Sequence, residues 1–353
     1  GDQMTLFDIN GNIDTLLVVS QKNRRYFTGF DSTFGYLVLT KERRIFLTDY
    51  RYFEMAQDIK SDFELTAVGR YDLEDLLKKT LKDVGAVNIG FEDTELTVSE
   101  YSALKEMLDG FNLVPVGKDL AEMKKYKTAY ELECIATAQK ITDAAFSDVL
   151  AHIKEGMTEK ELSVILQCCL LENGGEKNSF DPIVSFGENT SKPHAHPTDR
   201  ALSFGDNILM DFGCVYKGYC SDMTRTVFFG NPNEKIADIY SIVLKAQTAA
   251  LGGMKSGMKA CEVDALARSV FSQNGVEDKF THALGHGVGI DIHEIPSMHP
   301  KNDTVLKENM VVTVEPGLYF PGLGGVRIED LTVIKQDGVN NLTTSDKNII
   351  IIR

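Results

Sequence analysis

Ile153-Lys-Glu-Gly-Met-Thr-Glu-Lys-Glu-Leu162 returns 101 residues later as Met254-Lys-Ser-Gly-Met-Lys-Ala-Cys-Glu-Val263. Asn173-Gly174 and Asn274-Gly275 repeat at the same offset. A third pair follows in order, Asp206-Asn-Ile-Leu-Met-Asp-Phe-Gly213 and Glu308-Asn-Met-Val-Val-Thr-Val-Glu-Pro-Gly317, at nearly the same spacing. One short match is within the reach of chance; three in one order are not. Many repeats announce a solenoid, but two copies of about 100 residues describe a single pseudo-symmetric domain, with its site expected at the seam. In that pairing Asp211 and Glu315 take related places.

Outward from the duplication, the chain divides at about residue 120. Residues 122–154 read as a long helical stretch, with apolar residues at Leu132, Ile135, Ala136, Ile141, Ala145 and Val149. Before it, Ile13–Ser20, Tyr36–Leu39, Arg44–Thr48 and Val87–Phe91 read as strands and Asp72–Asp83 as a helix. The class is therefore α/β (α+β): a first α/β domain over 1–120 and the duplicated domain over 121–353. A length of 353 residues accommodates about two domains. The first contains no cluster of metal-binding side chains and reads as a supporting or dimerising domain.

The net charge of −15 argues against a nucleic-acid groove or an anionic membrane surface as partner. Six cysteines, at 134, 168, 169, 214, 220 and 261, form no Cys-x-x-Cys pair and read as reduced, mostly buried thiols. The apolar run Leu16-Leu-Val-Val19 is too short for a leader or a span, so the expected location is the cytoplasm. Gly1-Asp2-Gln3, ahead of Met4, is left out of the fold reading.

Four apolar strand-like runs are followed or interrupted by a carboxylate: Asp211 in Ile208–Gly213, Asp222 in Ser221–Val227, Glu315 in Val311–Gly317 and Glu329, with Asp330 beside it, in Gly325–Leu331. Taken singly, such an Asp more often sits at a strand end and accepts turn hydrogen bonds. Taken together, four buried carboxylates would force several to protonate unless cations balance them. Two divalent ions supply that balance. His286 lies in His282-Ala-Leu-Gly-His-Gly-Val-Gly-Ile-Asp-Ile-His-Glu294, which holds three of the chain's seven histidines among glycines that permit close backbone approach. Four carboxylates and one imidazole make a hard, oxygen-rich donor set that suits manganese, with cobalt, iron or zinc also accommodated. Two metals roughly 3.5–4 Å apart turn a bridging water into a hydroxide nucleophile.

These residues resemble the metallopeptidase family of aminopeptidase P, prolidase and methionine aminopeptidase, which share the pita-bread fold. The resemblance rests on Met-Asp-Phe-Gly with Ser-Asp-Met-Thr-Arg, His-x-x-Gly-His-Gly-x-Gly with His-Glu-x-Pro, Glu-Pro-Gly-x-Tyr, and Gly-Gly-Val-Arg-Ile-Glu-Asp, in order through the second domain. More weakly, Asn23-Arg-Arg-Tyr-Phe-Thr-Gly-Phe30 and Leu47-Thr-Asp-Tyr-Arg-Tyr52 resemble the family's creatinase-like N-terminal domain, which favours the proline-directed branch. The resemblance implies that Asp222 and Glu329 bridge two metals, that Asp211 ligates one, and that His286 and Glu315 hold the other. It implies that Glu315 also handles a proton and that His194 and His293 stabilise the substrate carbonyl. His282 would line the proline pocket, and Arg327 would organise the carboxylates. His196 competes with His194, but the family's Pro-His pairing selects His194.

The implied activity is removal of an N-terminal residue from short peptides with proline second, by a homodimeric enzyme. A strict Xaa-Pro dipeptidase is the alternative within the family. Metal-free amidine hydrolysis of the creatinase type and a non-catalytic peptide-binding relative are the rivals outside it, and five filled ligand positions argue against both.

Overall fold

The computed structural model describes residues 7, 10–59, 62–69 and 71–353, and Gly1-Asp2-Gln3 lies outside them. The chain forms two compact units, Gly1–Lys124 and Lys125–Arg353.

In the first unit, β1 (Thr15–Val18), β2 (Tyr36–Leu39), β3 (Arg44–Asp49), β4 (Glu64–Val68), β5 (Asn88–Phe91) and β6 (Asn112–Pro115) build one mixed sheet. Its order is β4-β3-β2-β1-β5-β6, with β1 antiparallel to β2 and parallel to β5. Helices α1 (Gln21–Thr28), α2 (Tyr50–Ala56), α3 (Leu73–Asp83), α4 (Val98–Met107) and α5 (Gly117–Lys124) complete the unit. The four expected strands all form, within a few residues of their expected ends. They are the inner four, whose side chains are largely buried, whereas β4 and β6 are half-exposed edges without an apolar run to read.

The second unit opens with a departure from expectation. The stretch 122–154 is two helices, because α5 ends at Lys124 and α6 (Ala129–Leu150) starts afresh. Thr128 Oγ1 accepts from Glu131 N at 3.3 Å while the Glu131 carboxylate accepts from Thr128 N at 2.8 Å. That reciprocal cap satisfies two orphan amides and nucleates the new helix. Residue 121 itself lies inside α5.

Beyond α6 come α7 (Glu159–Glu172), β7 (Lys177–Asn178), β8 (Ile183–Phe186), β9 (Asn207–Phe212), β10 (Cys214–Tyr216), β11 (Tyr219–Cys220) and β12 (Met223–Phe229). The second half holds α8 (Glu234–Gly253), α9 (Ala260–Gln273), β13 (Val311–Val314), β14 (Gly317–Phe320), β15 (Gly324–Arg327), β16 (Asp330–Lys335) and β17 (Gly338–Asn341). A last strand, β18 (Ile351–Ile352), returns to pair with β12.

The duplication is physical. Helices α7 and α9 each have 14 residues and end at Asn173 and Asn274. Ahead of them, Gly156 N donates to Leu202 O at 2.9 Å and Gly257 N to Leu306 O at 2.8 Å. The turns into β9 and β13 use left-handed residues, Gly205 (φ 96°) and Asn309 (φ 65°). Asn309 therefore stands where Gly205 does, and not opposite Asn207 as the sequence match pairs it. Each half has its own apolar core: Phe146, Leu162, Leu166, Ile208, Met210 and Val227 in the first, Val243, Ala267, Phe271, Val312, Val314 and Ile334 in the second. Burying one such side chain is worth about 1.5–3 kcal/mol. Among the described residues no helix is long and apolar enough to cross a membrane.

Candidate metal centre

Two hairpins, one from each half, carry the carboxylates. In the first, β9 runs antiparallel to β12 with Asp211 opposite Thr224, and Asp222 immediately precedes β12. In the second, β13 runs antiparallel to β16 with Val314 opposite Asp330, so that Glu315 just follows one strand and Glu329 just precedes the other. The halves meet where Glu329 N donates to Thr224 O at 3.1 Å.

His286 arrives on a segment paired to β13. Thr313 N donates to His286 O at 2.9 Å and Glu315 N to Leu284 O at 2.8 Å. A side chain at Gly285 would run into the Thr313 carbonyl, so glycine is what lets this segment lie so close. His286 Nδ1 meets its neighbour's carbonyl, Gly287 O, at 2.9 Å, which turns Nε2 inward. Nε2 then lies 3.4 Å from both Asp222 Oδ2 and Glu315 Oε1. Asp222, His286 and Glu329 each offer one ligand atom, all within 4.8 Å of one another.

The electrostatics of this cluster are unfavourable for the protein alone. Burial, then the nearby Asp211 and Glu315 charges, hold the Asp222 carboxyl well above the usual aspartate range. Burial, then Asp222, does the same to Glu329. Burial also raises Glu315, partly offset by His286 and Arg327. Asp211 Oδ1, Asp222 Oδ1 and Glu329 Oε1 are buried with no hydrogen-bond partner in the protein. Buried carboxylate oxygens are rarely left so, and a cation satisfies lone pairs and charge together.

Arg327 crosses behind the cluster. Its Nη2 donates to Asp211 Oδ2 at 2.6 Å and its Nε to Thr224 Oγ1 at 3.1 Å. Thr224 Oγ1 in turn donates to Glu329 Oε2 at 2.6 Å. One guanidinium therefore sets one carboxylate directly and another through a hydroxyl. Its Nη1 donates to Tyr319 OH at 2.8 Å, and that hydroxyl meets His282 Nε2 at 2.9 Å. Burial, then the charge of Arg327, pushes His282 down to about 4, and burial pushes Tyr319 up to about 12. His282 is accordingly a neutral ring beside Phe280, at 4.9 Å between centroids.

The remaining expected residues lie around this core. The His293 ring stands edge-on to His286 at 4.3 Å, its proton affinity lowered by burial and by His286. His194 is exposed, and the preceding Pro193 carbonyl accepts from Arg327 Nη1 at 3.3 Å. Thr224, Tyr319 and Thr313, which donates to Glu315 Oε1 at 3.1 Å, carry contacts that sequence reading assigned to none of them. Thr224 and Tyr319 stood inside the quoted motifs; a buried polar residue next to an expected ligand was the available signal. All six cysteines are free, and four are buried.

Residues 133–336 match metallopeptidase family M24, and residues 10–124 match the creatinase/prolidase N-terminal domain. The chain is 34% identical over 351 residues to an Xaa-Pro dipeptidase of Pyrococcus furiosus, covering 99% of each. Among solved structures it is similar to an Xaa-Pro dipeptidase from Bacillus anthracis, at 39% identity and a TM-score of 0.92, covering 96% of this chain and 95% of that one. It is similar also to an X-Pro aminopeptidase from Thermotoga maritima, at 34% identity and a TM-score of 0.93, covering 96% and 98%. The expected architecture, a creatinase-like α/β domain before a pita-bread catalytic domain, stands. A metallopeptidase implies divalent metal ions, and the partnerless buried carboxylate oxygens fit them. The chain belongs to metallopeptidase family M24.

Proposed function

We propose that this protein is a dinuclear exopeptidase that cleaves the bond between an N-terminal residue and a following proline. The observation that carries the reading is the grouping of Asp222, His286 and Glu329 within 4.8 Å, with Glu315 3.4 Å from His286 and three buried carboxylate oxygens, one of them on Asp211, left unpaired. In this reading Asp222 and Glu329 would serve both ions, Asp211 would hold one, and His286 with Glu315 would hold the other. When bound, two divalent ions, in our reading manganese, supply Lewis acidity toward a carbonyl oxygen and a nucleophile at neutral pH.

The protein's own groups do the rest. Glu315 takes a proton from the attacking nucleophile. His293 and His194 donate hydrogen bonds to the substrate oxygen as it gains charge. The neutral His282 ring, held by Tyr319, presents an uncharged wall to the substrate's proline ring. Arg327 fixes the carboxylate geometry from behind.

The names of the relatives support both a strict dipeptidase and an aminopeptidase accepting longer peptides. We propose further a cytoplasmic homodimer, with the creatinase-like domain over about the first 120 residues and the catalytic domain over the remainder. The test is turnover of Xaa-Pro, Xaa-Pro-Yaa and Xaa-Ala peptides after chelation and after manganese is restored. The expected result is a manganese-dependent preference for the proline substrates. Full activity without metal, or equal rates on Xaa-Ala, overturns the reading.

A further inference from the structure

We infer that Lys127 is a positioning residue for His293, acting through the buried carboxylate of Glu294. The inference rests on the reading that His293 takes part in turnover.

Lys127 sits in the short link ahead of α6, where its backbone N donates to Asn309 O at 3.0 Å. Its Nζ meets Glu294 Oε2 at 2.9 Å, and the two side chains are 1% and 7% exposed. The other oxygen of Glu294, Oε1, accepts from Asp291 N at 3.2 Å. The carboxylate is folded back so tightly that a Cβ on Gly289 would lie 2.5 Å from each of its oxygens. Glu294 and Gly287 also exchange two backbone hydrogen bonds, at 2.8 and 3.0 Å. Residues 287–294 thus form a closed turn, tied across its base by backbone and across its face by one carboxylate.

His286 precedes that turn and His293 lies within it, next to Glu294, and their rings stand 4.3 Å apart. The position of the second imidazole relative to the first is therefore set by how Glu294 sits. A buried carboxylate has to be paired or hydrogen-bonded, and for Glu294 the Lys127 ammonium supplies the pairing charge. Buried ion pairs add little net stability, since desolvation offsets their attraction. Geometry is what this one supplies: the ammonium fixes Glu294, Glu294 fixes the turn, and the turn fixes the direction in which His293 donates. Displacing a catalytic group by about 1 Å can cost about 10²-fold in rate.

The test is a double-mutant cycle of Lys127→Met and His293→Ala, with kcat, KM and bound metal measured for each. Lys127→Met is expected to keep its metal and lower kcat about 10- to 10²-fold with little change in KM. The double variant is expected to be no slower than His293→Ala alone, because both changes remove one contribution. The imidazole Cε1–H resonance of His293 is expected to shift in Lys127→Met while that of the exposed His152 stays in place. If the two rate factors multiply, or Lys127→Met leaves kcat unchanged, the inference is overturned. Full turnover in His293→Ala overturns the site reading, and the inference with it, which is a different failure. Should Lys127→Met fail to fold, Lys127→Met with Glu294→Gln removes both charges together and runs through the same cycle.

Discussion

Glu329 and Asp330 are neighbours at the start of β16, both essentially buried, and they face opposite surroundings. Asp330 meets Arg225 Nη2 at 2.8 Å, Lys347 Nζ at 2.6 Å and Asn341 Nδ2 at 2.7 Å. Despite burial, those cations hold its carboxyl below the usual aspartate range. Glu329 has, among the described residues, one donor, Thr224; burial and then the charges of Asp222, Glu315 and Asp211 push it well above the glutamate range. Burial alone does not distinguish the two. What distinguishes them is whether the protein completes the charge or leaves it incomplete. Glu92, in the first unit, makes the same point from the finished side. It is buried and accepts from Val19 N, Ser20 N, Ser20 Oγ and Asn23 Nδ2 at 2.5–2.9 Å. It needs nothing from outside.

This contrast breaks if neighbouring substitutions behave alike. The largest effect is expected for Glu329→Gln, which should reduce turnover to background and weaken binding of at least one ion, since a neutral amide bridges poorly. The metal-free protein should respond in the opposite direction. A carboxyl raised in the folded state binds more protons there than when unfolded, so the metal-free protein loses stability as pH climbs above the ordinary glutamate value of about 4.5. Glu329→Gln should flatten that decline, as Tm of the chelated proteins between about pH 5 and 8 will record. Equal slopes together with intact turnover would show the contrast to be false.

Asp330→Asn should do the reverse. It strips the charge partner from buried Arg225 and half-buried Lys347 and should cost about 3–5 kcal/mol of stability, with or without metal. Denaturant unfolding measures it, and an unchanged midpoint would mean that the pair is replaceable.

The smallest effect sharpens the comparison. Thr224→Val removes what is, among the described residues, the only side-chain donor of Glu329, and also the acceptor of Arg327 Nε, with little change of shape. Loss of such an outer contact should weaken metal binding about 10–100-fold, read by competition with a chelator. Unaltered affinity would place the control of Glu329 elsewhere.

Much of this was legible in the sequence, for a physical reason. A ligand strand needs a carboxylate where an apolar run otherwise belongs, and that interruption is visible at Asp211, Asp222, Glu315 and Glu329 without any partner in view. Close backbone approach needs glycine, which marked the His286 segment. The edge strands β4 and β6 were not legible, because a half-exposed strand has no apolar signature. The break between α5 and α6 hid in an ordinary-looking Thr128-Ala-Tyr-Glu131, whose meaning as a cap depends on the reciprocal bonds. Lys127 was beyond reach, since nothing local ties it to a glutamate 167 residues away.

The seam between the duplicated halves has a consequence for how the molecule comes apart. Each hairpin brings two carboxylates, and neither pair alone makes the full set. An ion gripped by both hairpins is lost as soon as either half opens. Its binding free energy then adds to the resistance of both halves against local opening. The cations work as a rivet through two plates that already share an apolar cluster, Ile135 and Val215 against Val288, Val311 and Leu331, and hydrogen bonds across the join: with the ions in place, opening either half costs more than without them.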